Sequence, residues 1–387
     1  MPARRVYLDH NATTPMRPEA EEAMVRALRM GLGNPSSIHE SGRKARAMVD
    51  EARDKIAAAL EVDPDEVILT SGGTESNNLA LLGSLAATPD KTGLITSPVE
   101  HAAVRGVGLE LEAQGVQVQW LAVSPTGAVE VGGLGSILQH VDGPQVVSVM
   151  GANNELGTIT DLEGVRAAIE GSGAVATLHC DAVQCLGKTQ LRPIIEHVDL
   201  ASFSSHKVGG PVGVGLLFKR TGVKLAPRTF GGSQEALLRP GTENVAAIAA
   251  AAVAVELAVQ ETEALSKRLT QLTCDFWHQL RARVPNVLLN GPAIDRADRL
   301  PNTLNVSFPS SGDARMLVTR FDLAGLEVSA GSACASGSLE PSHVLSTVTD
   351  DEHRALSAIR FSLGWNTSDD DVRLAVDILG TTLGEST

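Results

Sequence analysis

Lys207 closes the string S-F-S-S-H-K (Ser202 to Lys207), with the apolar lead D-L-A-S-F ahead of it and the run V-G-G-P-V-G-V-G behind. A lysine at the end of a buried strand, boxed in by small residues, can form a Schiff base with an aldehyde. Desolvation favours loss of the ammonium proton, and the free amine is a nucleophile. The same string also suits a solvated turn, so its neighbours in the chain must decide. H-C-D-A-V-Q (His179 to Gln184) sets Asp181 at the carboxyl end of another apolar run, the place where open α/β sheets bind ligands. A carboxylate there can pair with a protonated pyridine nitrogen and keep the ring an electron sink; the plain alternative is a turn or a helix cap. S-G-G-T-E-S (Ser71 to Ser76) follows a third apolar run and opens a helical one. Backbone N–H groups near Gly73 and the Thr74 hydroxyl would make an anion cradle, or the string is only a cap. It lacks P-loop spacing, and no G-x-G-x-x-G follows the first strand, which disfavours nucleotide binding.

Four more residues have chemistry to offer. His101, in P-V-E-H-A-A-V, could stack on a planar ring and relay protons near neutral pH, or could cap a helix. Asn153, in A-N-N-E-L-G, could hydrogen-bond a phenolate oxygen or sit in a turn. Arg360, in I-R-F-S-L-G-W-N, lies between apolar neighbours and needs an anion, either a substrate carboxylate or a structural Asp or Glu. Cys334 lies in S-A-G-S-A-C-A-S-G-S-L-E-P-S-H. Its small, polar neighbours suit a thiol that travels and reacts more than a buried structural one.

These residues need a scaffold. From about Glu66 to Arg220, short β-branched runs alternate with helical ones. That order predicts an α/β fold with a mostly parallel sheet covered on both faces. Leu200–Ser204 and Gly213–Phe218 are close enough to pair antiparallel. An Ala/Val-rich stretch from Asn244 runs into a charged helix ending near Val284, and a smaller α+β pattern follows. The division expected is a large domain over 18–255, with 1–17 and 256–387 forming a small domain that carries the cysteine loop. The stretch Ala330–Thr349 holds few helix or strand signals, and a loop that long in a compact domain is usually functional or disordered.

Composition narrows the function classes. The 387 residues suit two packed domains, and 43% hydrophobic with 20% charged residues excludes a disordered chain. The net charge of −14 argues against nucleic acid or an anionic membrane as main partner. No apolar run is expected to reach the ~18 residues of a membrane span. The N-terminus has no signal-like apolar stretch. Cys180, Cys185, Cys274 and Cys334 show no C-x-x-C spacing, so no metal site is indicated. A reduced, cytoplasmic enzyme is the simplest reading.

The order and wording of the motifs resemble the cysteine desulfurases. Y-L-D-H-N-A-T-T-P, G-N-P-S-S-I-H, S-G-G-T-E-S-N-N-L-A, E-H-A-A-V, A-N-N-E-L-G, H-C-D-A-V-Q, S-F-S-S-H-K-V-G-G-P-V-G-V-G, R-P-G-T-E-N, G-S-A-C-A-S-G-S-L-E-P-S-H-V-L and I-R-F-S-L-G run in that family's order from Tyr7 to about Val372. The resemblance implies a fold type I pyridoxal 5'-phosphate enzyme of the class V aminotransferase group, with the long mobile cysteine loop. It implies that Lys207 holds the cofactor as a Schiff base and then serves as base. Asp181 would pair with the ring nitrogen, and His101 would stack on the ring and return a proton. Asn153 and Gln184 would lie near the ring oxygen. Gly73, Thr74, Ser204 and His206 would hold the phosphate, with Thr242 reaching in from the second subunit of a homodimer. Asn34 and Arg360 would take the carboxylate of L-cysteine. Cys334 would attack the substrate sulfur, release alanine and keep a persulfide for an acceptor protein, in iron–sulfur assembly or in thio-cofactor or tRNA thiolation. The sequence departs from the family around P-S-S-G-D-A-R-M and Trp365-Asn366, and it ends without the S-P-L-W-type docking tail, so the acceptor is left open. A selenocysteine or cysteine lyase of the same fold, and a non-catalytic scaffold, are the competing readings.

Overall fold

The computed structural model describes residues 4–31, 33–88, 93–141, 143–331 and 342–384. The strands are β1 (Val6–Tyr7), β2 (Val67–Thr70), β3 (Gly93–Thr96), β4 (Gln117–Trp120), β5 (Gln145–Met150), β6 (Ala176–Asp181), β7 (Leu200–Ser204), β8 (Gly215–Lys219), β9 (Leu288–Asn290), β10 (Thr303–Ser307), β11 (Leu326–Glu327) and β12 (Ala358–Ser362). The helices that matter most are α1 (Pro18–Arg29), α2 (Glu40–Leu60), α3 (Gly73–Ala87) and α4 (Ala102–Ala113).

Seven strands form one sheet in the order β2-β8-β7-β6-β5-β3-β4. β8 runs antiparallel to both β2 and β7, while the pairs from β7 to β4 are parallel. Every residue of β5 and β7 is buried, as expected of parallel strands covered on both faces. Because six strands share one direction, the carboxyl ends of β2, β3, β5, β6 and β7 emerge along one edge. β8 also explains one glycine in the run after Lys207. A Cβ on Gly215 would lie 2.4 Å from the carbonyl carbon of Gly72, so only glycine lets β8 pass under the turn that leads into α3.

A second core gathers Val6, Leu8, Phe276, Phe321, Phe361 and Leu379 around β10 and β12. There β9-β10-β12 form an antiparallel sheet, and β1 pairs with β11, so the N-terminus is built into this C-terminal layer. The long helix Val245–Arg283 joins the two cores. Its first half contributes Ala247, Ala251 and Val255 to the large core and its second half Leu272, Phe276 and Leu280 to the other. Against expectation, this helix contains a window apolar and long enough to cross a membrane. In the fold that composition has another use, since small residues let it pack closely on α1 and α2. The sequence also suggested no regular structure over Ala330–Thr349, yet His343–Val348 is a helix. The Ser342 hydroxyl caps it by accepting from the Val344 N–H at 3.1 Å.

Candidate active site

The shared edge of the strand ends borders a cleft of about 220 Å³. Lys207, Asp181, Thr74, His101, His206 and Arg360 all line it, with Gly73, Gln184 and Ser204. Most come from the ends of three strands, and Arg360 comes from the middle of β12. β7 ends at Ser204 and turns through a short 3-10 segment to Lys207; β6 ends at Asp181; β2 leads into α3 through Gly72 and Gly73.

The Lys207 amine donates to the backbone carbonyls of Asn11 at 2.7 Å and Ala12 at 2.6 Å. Asp181 is buried, and its two oxygens are held from opposite sides. The Asn77 amide donates to one at 2.7 Å and the Val183 N–H to the other at 3.1 Å. Asn77 follows Gly73 by one helical turn, so α3 presents the anion cradle and the carboxylate's partner on one face. α3 starts after Gly72 with no side-chain cap; the Glu75 carboxylate accepts from the Ser71 N–H at 2.6 Å just ahead of it, and Thr74 stays at the cleft wall. A Cβ on Gly73 would approach the Val183 side chain to 2.8 Å, so the cradle closes tightly over the residue two places past Asp181.

His101 is the N-cap of α4, with Nδ1 accepting from the Ala103 N–H at 3.1 Å. That bond assigns the proton to Nε2. The cap and the cleft-lining position are therefore both real. His206 sits beside Thr13, Nδ1 to Oγ1 at 3.1 Å, and its pKa falls to about 4. Burial is the main cause, followed by the Lys207 and Lys188 charges. Glu100, directly before His101, is fully buried and its carboxyl is pushed up to about 8. It accepts from the Met150 N–H at 2.8 Å and the Ser97 hydroxyl at 3.0 Å, so it holds the start of α4 against the end of β5.

Arg360 is almost fully buried. One terminal nitrogen donates to Asp9 at 2.7 Å and the other to the Asn154 carbonyl at 3.1 Å, while Nε has no partner. The structural partner envisaged from the sequence thus exists, and one buried donor is still left over.

Three expected residues are placed elsewhere. Asn153 does not line the cleft. Its amide donates to the Val99 carbonyl and the Met150 sulfur and accepts from the N–H groups of Glu155 and Leu156, so its capacity is spent on folding the turn. Its neighbour Asn154 lines the cleft instead. Asn34 closes its own turn, accepting from the Ser36 N–H at 2.8 Å, and is not among the cleft-lining residues. Thr242 borders a separate surface hollow with Phe230, Arg239 and Glu75. Cys334 lies outside the described residues.

Asn11 was not singled out from the sequence. Its carbonyl accepts from Lys207 and from the Gln184 amide at 3.0 Å. Its side-chain oxygen accepts from Lys188 at 3.2 Å and Asn302 at 3.0 Å, and its amide nitrogen donates to Thr303 and the Asn154 carbonyl. The only signal was its place in D-H-N-A-T-T, and its partners are hundreds of residues away in sequence. Among the described residues, no group of His, Cys, Asp and Glu could hold a metal ion.

An amine, a buried carboxylate and a helix-end cradle around one cleft fit a phosphorylated aromatic aldehyde. The sequence profile of the family described as "Aminotransferase class-V" matches residues 6–374. The chain belongs to this family. It is 44% identical to the "Cysteine desulfurase IscS" of Dictyoglomus turgidum, across 97% of this chain and 94% of that one. A solved "NifS-like protein" superposes with a TM-score of 0.89 at 34% identity, over 98% of this chain and all of that one. A structure of "SspA in complex with cysteine" matches at 30% identity and a TM-score of 0.76, covering 92% and 98% of the two chains. The class V aminotransferase assignment brings with it the fold type I architecture and dependence on pyridoxal phosphate.

Proposed function

We infer that this protein is a pyridoxal-phosphate-dependent cysteine desulfurase, converting L-cysteine to L-alanine and passing the sulfur to an acceptor. The observation that carries the reading is the convergence of Lys207, Asp181, the Gly73–Thr74 helix end and Arg360 on one cleft, in a chain related to desulfurases over nearly its whole length.

The bound cofactor supplies an electron sink for the charge left at the substrate's Cα. The residues of this chain do the rest. Gly73, Thr74, Ser204 and His206 border the space for the phosphate, and the low pKa of His206 keeps its ring neutral there, a hydrogen-bonding group. Asp181, fixed by Asn77 and Val183, holds the proton on the ring nitrogen. Gln184 and Asn154, the latter in place of Asn153, also line the cleft and would face the ring oxygen. Lys207, once released, has a resting place on the Asn11 and Ala12 carbonyls and takes the Cα proton. Arg360 offers its unpartnered Nε to the substrate carboxylate. His101 carries a proton on Nε2 for return to the product. The Cys334 thiolate would attack the substrate sulfur: the S–S bond forms as the substrate Cβ–S bond breaks, the electron pair leaves with the three-carbon fragment, and protonation of that fragment gives alanine while the persulfide stays on Cys334.

The same reading makes the enzyme a cytoplasmic homodimer in which Thr242 completes the partner's phosphate site. The exposed Phe230 and Leu237 on that segment support it. Asn34 lies nearby in space, since Gln234 donates to Ser36 at 3.4 Å, so its substrate role also depends on the dimer. The acceptor is a sulfur-accepting protein of iron–sulfur assembly or thiolation. The decisive experiment treats the holoenzyme with cysteine without reductant. The Cys334 peptide should gain one sulfur atom, and Cys334→Ser should bind cofactor yet release almost no alanine. Normal turnover by Cys334→Ser would instead identify a lyase.

A further inference from the structure

Lys188 is a second buried lysine behind the cleft, and the steps above do not use it. It follows Gln184 by one helical turn, in the segment after β6. Its amine is bonded to the Gln184 side-chain oxygen and to the Asn11 side-chain oxygen, the latter at 3.2 Å. Both acceptors are neutral amides. A buried ammonium ordinarily demands a carboxylate, and among the described residues none bonds this one. The groups that face Lys188 are instead cationic or neutral. They are Lys207 from the turn after β7, Arg360 from β12, His10 from the N-terminal segment, His206, and the buried Cys185 thiol.

The bonds around Lys188 lead to the amine of Lys207. Gln184 donates from its other end to the Asn11 carbonyl at 3.0 Å, and that carbonyl is one of the two that receive Lys207. Lys188, Gln184 and Asn11 therefore form a closed triangle, and Lys207 rests on one corner of it. Two carbonyl acceptors alone would favour a protonated Lys207, which is the wrong form for a base or a nucleophile. A nearby cation offsets that preference.

We propose that Lys188 is a positioning residue for Lys207: with Gln184 and Asn11 it fixes the carbonyl on which the amine rests, and its charge discourages that amine from keeping a proton. This rests on the pyridoxal-phosphate reading. Burial, together with repulsion from Lys207, lowers the Lys188 pKa to about 7. The two nitrogens interact, so a midpoint read in wild type belongs to the pair.

The test uses the holoenzymes of wild type, Lys188→Met and Lys188→Arg. The absorbance of the cofactor chromophore against pH reports protonation at the Lys207 nitrogen. Removing the charge in Lys188→Met should raise that midpoint by about one pH unit, the size expected of one charge at short range inside a protein. Lys188→Arg should stay close to wild type. Exchange of the substrate's Cα proton with deuterated solvent should slow about tenfold in Lys188→Met at pH 7 and recover at higher pH, as a one-unit shift requires, with KM little changed. An unshifted midpoint in Lys188→Met, or an equal shift in Lys188→Arg, would overturn the proposal. If Lys188→Met does not fold, side-chain nitrogen NMR of wild type decides. A Lys188 amine that stays charged past its ordinary range refutes the coupling, and titration near neutrality supports it. Borohydride fixation of cofactor on Lys207 in wild type separates the two levels. Its failure sinks the cofactor reading, whereas success with no pH shift sinks only the role of Lys188.

Discussion

Around Asn11 every donor and acceptor of one residue finds a partner within the chain, whereas the segment from Phe230 to Thr242 turns its apolar groups outward. Asn11 uses its N–H, both side-chain hydrogens and both oxygens on groups from β10, β12 and the turns after β5, β6 and β7. On the other segment Phe230 is 88% and Leu237 64% exposed. Glu235, Ala236 and Leu237 all adopt left-handed backbone at φ of 47, 53 and 69°, a strain of order 1 kcal/mol or more per residue. The strain is held from beneath. The Glu235 carboxylate is buried against Arg53, with contacts of 2.5 and 2.9 Å, and accepts from the Leu69 N–H. The first region is complete in one chain. The second is pinned through Glu235 yet leaves Phe230 and Leu237 exposed, as the proposed dimer contact would require. Buried polar saturation and exposed, strained apolar display are thus two separate signatures of a site's inner and outer walls.

The comparison breaks most visibly by mixing lesions. Lys207→Ala alone should lose at least about a thousandfold in alanine production, since it removes both the cofactor link and the base. Mixed with Thr242→Ala chains and allowed to exchange subunits, it should regain roughly a quarter of wild-type activity, because half the dimers then carry one intact site. No recovery would place Thr242 outside the partner's site.

Asn11→Ala should destabilise the fold by about 3 kcal/mol in denaturant melts, because it takes one acceptor each from the buried Lys188 and Asn302 as well as removing its own bonds. A loss below about 1 kcal/mol would show that waters replace the network. Phe230→Asp tests the outer wall. It should leave the melt of the isolated subunit nearly unchanged and weaken dimerisation by about 2 kcal/mol, roughly thirtyfold in Kd by sedimentation. A dimer of undiminished affinity would remove this face from the interface.

A further expected effect is a slope with pH. Burial raises the Glu100 carboxyl from 4.5 to about 8, opposed by the Met150 N–H and reinforced by Asp181. Between those values the folded state binds the proton that the unfolded state has released. Stability should therefore fall as pH rises through that window, by up to ~1.4 kcal/mol per unit from this group. Glu100→Gln should flatten the fall. An unchanged slope would mean that Glu100 is already ionised in the fold.

The strand ends were legible because short apolar runs and their turns are local. Lys207, Asp181, Thr74, His101 and Arg360 inherit their places from them. Three features escaped. In A-N-N-E the two asparagines are chemically identical, and which one folds the turn depends on the Met150 sulfur nearby and on the Val99 carbonyl, 54 residues back in the chain. Asn11 escaped because its partners, Gln184, Lys188, Asn302, Thr303 and Ser362, carry no periodic signal that ties them to residue 11. The helix at His343–Val348 was missed since its cap, Ser342, sits in a serine-rich stretch where any serine could serve.

The parallel pairing of Val6 with Leu326, and the hold of Ser362 on the Asn11 N–H, also fix an order of assembly. Val6 and Asn11 cannot settle until partners hundreds of residues later in the chain have been made. At ~5–20 residues per second, the N-terminal strand stays without its partner for tens of seconds or longer. The large sheet can form in that interval, but the carbonyls that receive Lys207 cannot yet be in position. A nascent chain therefore exposes Lys207 before the proposed site is finished, and capture of a cofactor in a productive pose would mark a chain whose β11 and β12 are already in place.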